Sequence, residues 1–164
     1  MSDISKRSLV PLIVLVVMAA GSLAGASAQP AATEPSHTDE LAAVLAPKPD
    51  DTPAVRQFKE SGRNPYYQDP KAIADGFRLA RASACTHCHG ESLGGLIGPS
   101  LTNGNWRHLR NGTDKGMFET LYFGTSAGMA AWGKLGSLSE DEILKVMSFV
   151  RSKYRGDPRN ITWE

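Results

Sequence analysis

The chain has 164 residues, 18 Lys and Arg against 17 Asp and Glu, a formal net charge of +1 and two cysteines. A balance so close to neutral excludes nucleic acid and anionic membrane surfaces as main partners, because either requires a concentrated basic face. Two cysteines in a chain of this length also exclude a disulfide-dense scaffold, so both invite a chemical reading.

The first residues read as a targeting segment. Lys6 and Arg7 precede the uncharged apolar run from Leu9 to Ala20, and Ala26-Ser27-Ala28 supplies a small-residue cleavage site. The pattern predicts a signal peptide over residues 1–28, cut after Ala28, and export to a periplasm. An uncleaved anchor is the alternative, but Gly21, Ser22, Gly25 and Ser27 dilute the run, which falls short of the roughly 18 apolar residues of a membrane span. The membrane is therefore met only through the signal peptide. Cleavage removes Lys6, Arg7 and Asp3, leaving 16 basic and 16 acidic side chains.

Residues 29–69 form a Pro- and Ala-rich extension without a sustained helical or strand period. Leu41, Val44 and Leu45 are enough for one turn against the body, and the prolines are expected to prevent a longer helix.

The body runs over residues 70–155. Asp69 as N-cap and Pro70 at the first helical position predict a helix whose apolar face carries Ile73, Phe77 and Ala80. Gly76 inside it costs about 1 kcal/mol relative to Ala, which close approach of the last helix explains.

This helix delivers Cys85-Thr86-His87-Cys88-His89, the Cys-x-x-Cys-His signal for covalent attachment of one c-type haem. Cys85 and Cys88 form the thioethers, and His89 ligates the iron through Nε2. A thiol redox pair belongs beside a βαβ pattern and a zinc site needs two further ligands, and the sequence offers neither. His87, between the cysteines, reads as filler.

From Gly90 to Asn105 six Gly and Pro residues predict a loop that wraps the cofactor, with a backbone carbonyl of the Ile97–Leu101 stretch placed to accept the Nδ1 proton of His89. Thr113 caps a second helix over 114–123 that stops at Gly124, and an irregular stretch from Thr125 to Gly133 follows with Met129 at its centre. Ser139 and Glu142 make a capping box, Leu138 and Ile143 a hydrophobic staple, and the last helix is expected to run until Gly156 and Pro158. Residues 156–164 form a tail in which Trp163 covers part of the body.

Met117 and Met147 lie on apolar stripes and read as core. Met129, in a loop, is the candidate distal ligand, with His108 or an open position as alternatives. With both axial positions filled, the chemistry is electron transfer, not catalysis. The Arg107–Arg110 cluster contacts propionates or a partner, or is a solvated loop.

Through Cys85–Gly90, Ile97–Leu101, the Met129 loop and the terminal helix, the chain resembles the class I c-type cytochromes, which implies an all-α fold with crossing terminal helices and loops wrapping one haem c. Through Asp69-Pro70, Ile97-Gly98-Pro99 with Trp106, Thr113–Thr120, Trp132-Gly133 and Gly156-Asp157-Pro158, it is more closely similar to the cytochrome c-L family. The resemblance implies His89 and Met129 as axial ligands and the Pro99 carbonyl on His89, with Trp106 and Trp132 completing the candidate cofactor-binding set. It also implies a pyrroloquinoline quinone (PQQ)-dependent methanol or alcohol dehydrogenase as electron donor and another cytochrome or terminal oxidase as acceptor. The alternatives are a carrier for a different periplasmic dehydrogenase, or a haem sensor or peroxidase-like protein with a labile distal ligand.

Overall fold

The computed structural model describes residues 37–161. These fold into α1 (Thr38–Val44), α2 (Pro53–Ser61), α3 (Pro70–Ala82), α4 (Cys85–His89), α5 (Asp114–Phe123) and α6 (Glu140–Ser152), with 3₁₀ turns at Leu109–Gly112 and Pro158–Asn160. No strand occurs among the described residues, and no helix there is long and apolar enough to cross a membrane. The expected signal peptide and Trp163 lie outside the described residues.

Helix α3 starts where its cap dictates. The Asp69 carboxylate accepts the Lys71 and Ala72 N–H groups at 2.8 and 2.9 Å, and Pro70 occupies the first position, where no N–H is needed. In α6 the Ser139 hydroxyl accepts from the Glu142 N–H while the Glu142 carboxylate accepts from the Ser139 N–H. Leu138 and Ile143 are both buried beside that start. Helix α6 stops at Ser152, one turn before the expected Gly156 and Pro158. Its end tightens as Lys153 and Tyr154 bond back to Val150 and Arg151, and the Arg155 N–H then turns to the Thr102 carbonyl at 2.7 Å.

The two helices cross at Gly76. A Cβ there would stand 2.0 Å from the Lys145 carbonyl oxygen and 3.1 Å from Phe149 Cβ, so only glycine permits this approach. The Phe77 and Phe149 rings follow at 5.2 Å between centroids, continuing the seam. Ile143, Leu144, Val146, Met147 and Phe149 bring α6 into one core with Phe118 and Leu121 of α5.

The extension differs from the expectation that prolines keep it irregular. Pro53 is no breaker, because it sits at the first turn of α2, with the Thr52 hydroxyl accepting the Val55 N–H at 3.2 Å. Gly62 closes the helix at φ 73°, its N–H on the Phe58 carbonyl. Phe58 is 1% exposed and meets Phe118 at 5.0 Å between centroids, a burial contributing about 1.5–3 kcal/mol.

Polar groups tie the same segment to α6. Lys59 reaches Asp51 at 2.8 Å and Glu140 at 2.9 Å with both lysine and aspartate side chains buried, and Lys48 also binds Glu140. Asp141 accepts from the Thr52 and Tyr66 hydroxyls and pairs with Lys145 at 2.7 Å. Burial together with the Asp141 carboxylate pushes the Tyr66 hydroxyl up to about 12. Burial alone raises the Asp141 carboxyl, but the bonds from Lys145, Thr52 and Tyr66 outweigh it and hold it below its ordinary value.

Candidate functional site

Helix α3 does not run straight into the cysteines. Ala84 takes the left-handed conformation at φ 56°, a strain of about 1–2 kcal/mol for a residue with a Cβ, and the chain restarts as α4 in a new direction. Cys85 and Cys88 stand at i and i+3 of α4, on one side of the helix, and both are free thiols, the first half-buried and the second exposed. Burial pushes the Cys85 thiol up, opposite to the activated thiolate that a redox pair needs. His87 is exposed and Thr86 buried, so His87 faces away from the body.

His89 is enclosed. Its Nδ1 donates to the Pro99 carbonyl at 2.8 Å, an acceptor without a proton, which assigns the tautomer and leaves the Nε2 lone pair available. The following loop wraps the ring through main-chain bonds, Gly98 N–H to Cys88 at 2.7 Å, Gly95 N–H to His89 at 2.9 Å and Leu101 N–H to Leu93 at 2.8 Å. A Cβ on Gly98 would stand 2.8 Å from His89 Cε1, so glycine lets the loop close on the imidazole. Leu93, which nothing in the sequence singles out, anchors this loop, buried to 1% at φ 59°.

Met129 lies in the loop between α5 and α6, half-buried against the core. Its carbonyl accepts the Thr125 N–H at 3.0 Å, and the Thr125 carbonyl accepts the Gly128 N–H at 3.2 Å. Gly124, at φ 73°, leaves space for the returning strand of the loop, since a Cβ there would stand 2.4 Å from the Met129 carbonyl oxygen. Trp132 is half-buried at the end of the loop, and its carbonyl accepts the Ser137 and Leu138 N–H groups. Met117 and Met147 are buried in the core at 5% and 0% exposure.

Trp106 is buried elsewhere. Its indole N–H donates to the Asn160 carbonyl at 3.1 Å, and its ring stacks on Tyr154 and underlies the Arg151 guanidinium. Arg110 is also engaged within the fold, giving its Nε–H to the Thr120 hydroxyl at 3.2 Å. The structure thus assembles Cys85, Cys88, His89 and Pro99 in one unit, Met129 and Trp132 in a second, and sets Trp106 against the chain's last described turn.

Two free thiols on one short helix, an imidazole with Nδ1 engaged and Nε2 available, and a loop shaped to the ring make a donor set that fits covalent haem. Among the described residues no cluster of three or more His, Cys, Asp and Glu side chains offers a different metal centre. The α3–α6 crossing and this site define a class I c-type cytochrome.

Comparison with known proteins narrows the class. The family model described as cytochrome c oxidase, cbb3-type, subunit III matches residues 71–150. Cytochrome c-L of Methylorubrum extorquens is 34% identical over 113 residues, covering 69% of this chain and 56% of that protein, so the chain matches little more than half of that relative's length. The crystal structure of cytochrome c-L from the marine methylotroph Methylophaga aminisulfidivorans aligns with a TM-score of 0.64 at 36% identity, covering 71% of this chain and 77% of that one. That from Hyphomicrobium denitrificans aligns at 0.62 and 34%, covering 71% and 68%. The chain belongs to the cytochrome c-L family.

Proposed function

We propose that this chain is a periplasmic monohaem carrier, not an enzyme, that takes single electrons from a PQQ-dependent methanol or alcohol dehydrogenase and passes them to another cytochrome or a terminal oxidase. The observation that carries this reading is His89, whose Nδ1–H on the Pro99 carbonyl presents Nε2 beside two free thiols in a chain of the cytochrome c-L family. Cys85 and Cys88 would hold one haem c covalently, and His89 and Met129 would ligate its iron. Haem bound in this way supplies a one-electron ferric/ferrous couple.

The residues around the site do the remaining work. The Pro99 carbonyl fixes the imidazole ring and raises its basicity through the Nδ1 proton. Leu93 anchors the wrapping loop in the core, and Trp106, just after that loop, is tied to the tail through the Asn160 carbonyl. Met129 would supply a soft thioether to the iron, a ligand that raises the potential relative to a second imidazole.

Stopped-flow mixing with a PQQ-dependent methanol dehydrogenase tests the donor, and reduction within seconds is the expected result. No reduction by that enzyme, with ready reduction by another periplasmic dehydrogenase, moves the chain to the second donor; the limited span of the cytochrome c-L match keeps that reading in play. Carbon monoxide tests the sensor or peroxidase reading, because a reduced protein with Met129 on the iron binds it slowly. The Met129→Ala variant should lose the long-wavelength methionine charge-transfer band of the oxidised protein, and its persistence would move the distal role to another residue such as His108.

A further inference from the structure

Helix α1 buries none of its own residues, and only Leu41 and Val44 rest against the edge of the core. Packing alone therefore gives little account of where this helix sits. Its polar and aromatic contacts converge instead on the two ends of the loop that carries Met129. At the leading end, the His37 ring stacks on Phe123, with centroids 4.5 Å apart and planes within 19°, and the His37 N–H donates to the Glu119 carboxylate at 2.9 Å, one turn earlier in α5. At the trailing end, Glu40 meets Lys134 at 3.1 Å.

Those ends are themselves joined. The Lys134 N–H donates to the Tyr122 carbonyl at 3.0 Å, and Lys134 Nζ stands 5.7 Å from the Phe123 ring centroid. A Cβ on Gly133 would stand 2.2 Å from Tyr122 Cδ2, so the neck is closed as tightly as glycine allows. Between these ends, the loop is tied across itself by two main-chain bonds at Thr125 and by the Met129 N–H on the Thr125 hydroxyl at 3.4 Å. A surface loop opens locally more readily when contacts at its ends are released.

The geometry points to α1 as an external clamp on the distal loop, with His37 and Glu40 as positioning residues that keep Met129 in place. This rests on the reading of Met129 as the distal ligand. The His37 stack is the stronger half of the clamp, because the Glu40–Lys134 pair is exposed on both sides and exposed pairs contribute little. The extension thereby governs how readily the Met129 loop opens.

The test uses the holoprotein and three variants. His37→Ala removes the stack but keeps the backbone N–H for Glu119, and His37→Phe keeps a stacking ring. Hydrogen exchange at the Thr125 and Gly128 amides should become about tenfold faster in His37→Ala. Carbon monoxide binding to the reduced protein should accelerate in step, amides of α6 from Ile143 to Val150 should keep their rates, and His37→Phe should restore both readouts. Unchanged loop exchange, equal acceleration in α6, or no rescue by phenylalanine would overturn the clamp. Met129→Ala is measured in parallel. If it keeps the charge-transfer band, the ligand reading fails by itself, while loop exchange still decides whether α1 holds the loop.

Discussion

The two parts of the proposed haem site are built by different means. On the proximal side, His89 is held by its own neighbourhood. Pro99, Gly98, Gly95 and Leu93 all lie within ten residues of it, and their contacts are main-chain bonds or close approaches that leave no slack. Met129 sits in a loop whose ends meet α1 and its N-cap, about 90 residues earlier in the chain. If His89 and Met129 both ligate the iron as proposed, one ligand would be fixed by local sequence and the other by tertiary contact.

The largest test removes what both sides share. A Cys85→Ala, Cys88→Ala double variant loses its covalent cofactor, and a body of this size without that centre should lose most of the roughly 5–15 kcal/mol of native stability. A cooperative, native-like melt by circular dichroism in that variant would show that the polypeptide core is sufficient alone.

Smaller changes sharpen the contrast between the sides. Gly98→Ala on the proximal side sets a methyl 2.8 Å from His89 Cε1, with the ring and its Pro99 bond obliged to shift; a loss of about 1–3 kcal/mol and a changed midpoint potential are expected from denaturant titration and voltammetry. Gly128→Ala on the distal side meets nothing within 4 Å and suffers only the φ of 99°, so it should cost about 1–2 kcal/mol. If Gly128→Ala shifts the potential as far as Gly98→Ala, the distal loop is as rigid as the proximal one.

The smallest effect concerns the extension. Because the folded Asp141 carboxyl lies below its ordinary value of 3.8, its contribution is fully present above that value and is lost as pH falls through the depressed one. The pH at which acid releases the extension should therefore shift upward in Asp141→Asn, followed by hydrogen exchange in α2. An unchanged acid profile would show that the Asp141 carboxylate does not hold the extension, leaving its docking to the Lys59 ion pairs and the apolar contacts of Phe58 and Val55.

How legible each part is in the sequence follows from the range of its determinants. Asp69-Pro70 and Ser139 with Glu142 announce helix starts because a cap involves residues two or three apart. Thr52-Pro53 carries the same signal as Asp69-Pro70, yet the abundance of proline around it reads as an extension without a sustained helix, and only the burial of Phe58 shows the helix to be part of the core. The role of Trp106 is hidden for another reason. An indole donor takes whichever acceptor the fold brings near, here a carbonyl 54 residues away.

By itself, the sequence determined the Cys-x-x-Cys-His motif and the starts of α3, α5 and α6, since each depends on hydrogen bonds or covalent spacing within a few residues. The tertiary structure decided the close α3–α6 crossing at full depth, the incorporation of the extension into the core, and the grip of His37 and Glu40 on the loop of Met129. The physical reason is reach. The His37–Glu119 and Glu40–Lys134 contacts join residues 82 and 94 apart, and no periodicity in the chain encodes a pairing that exists only once the core has brought those surfaces together.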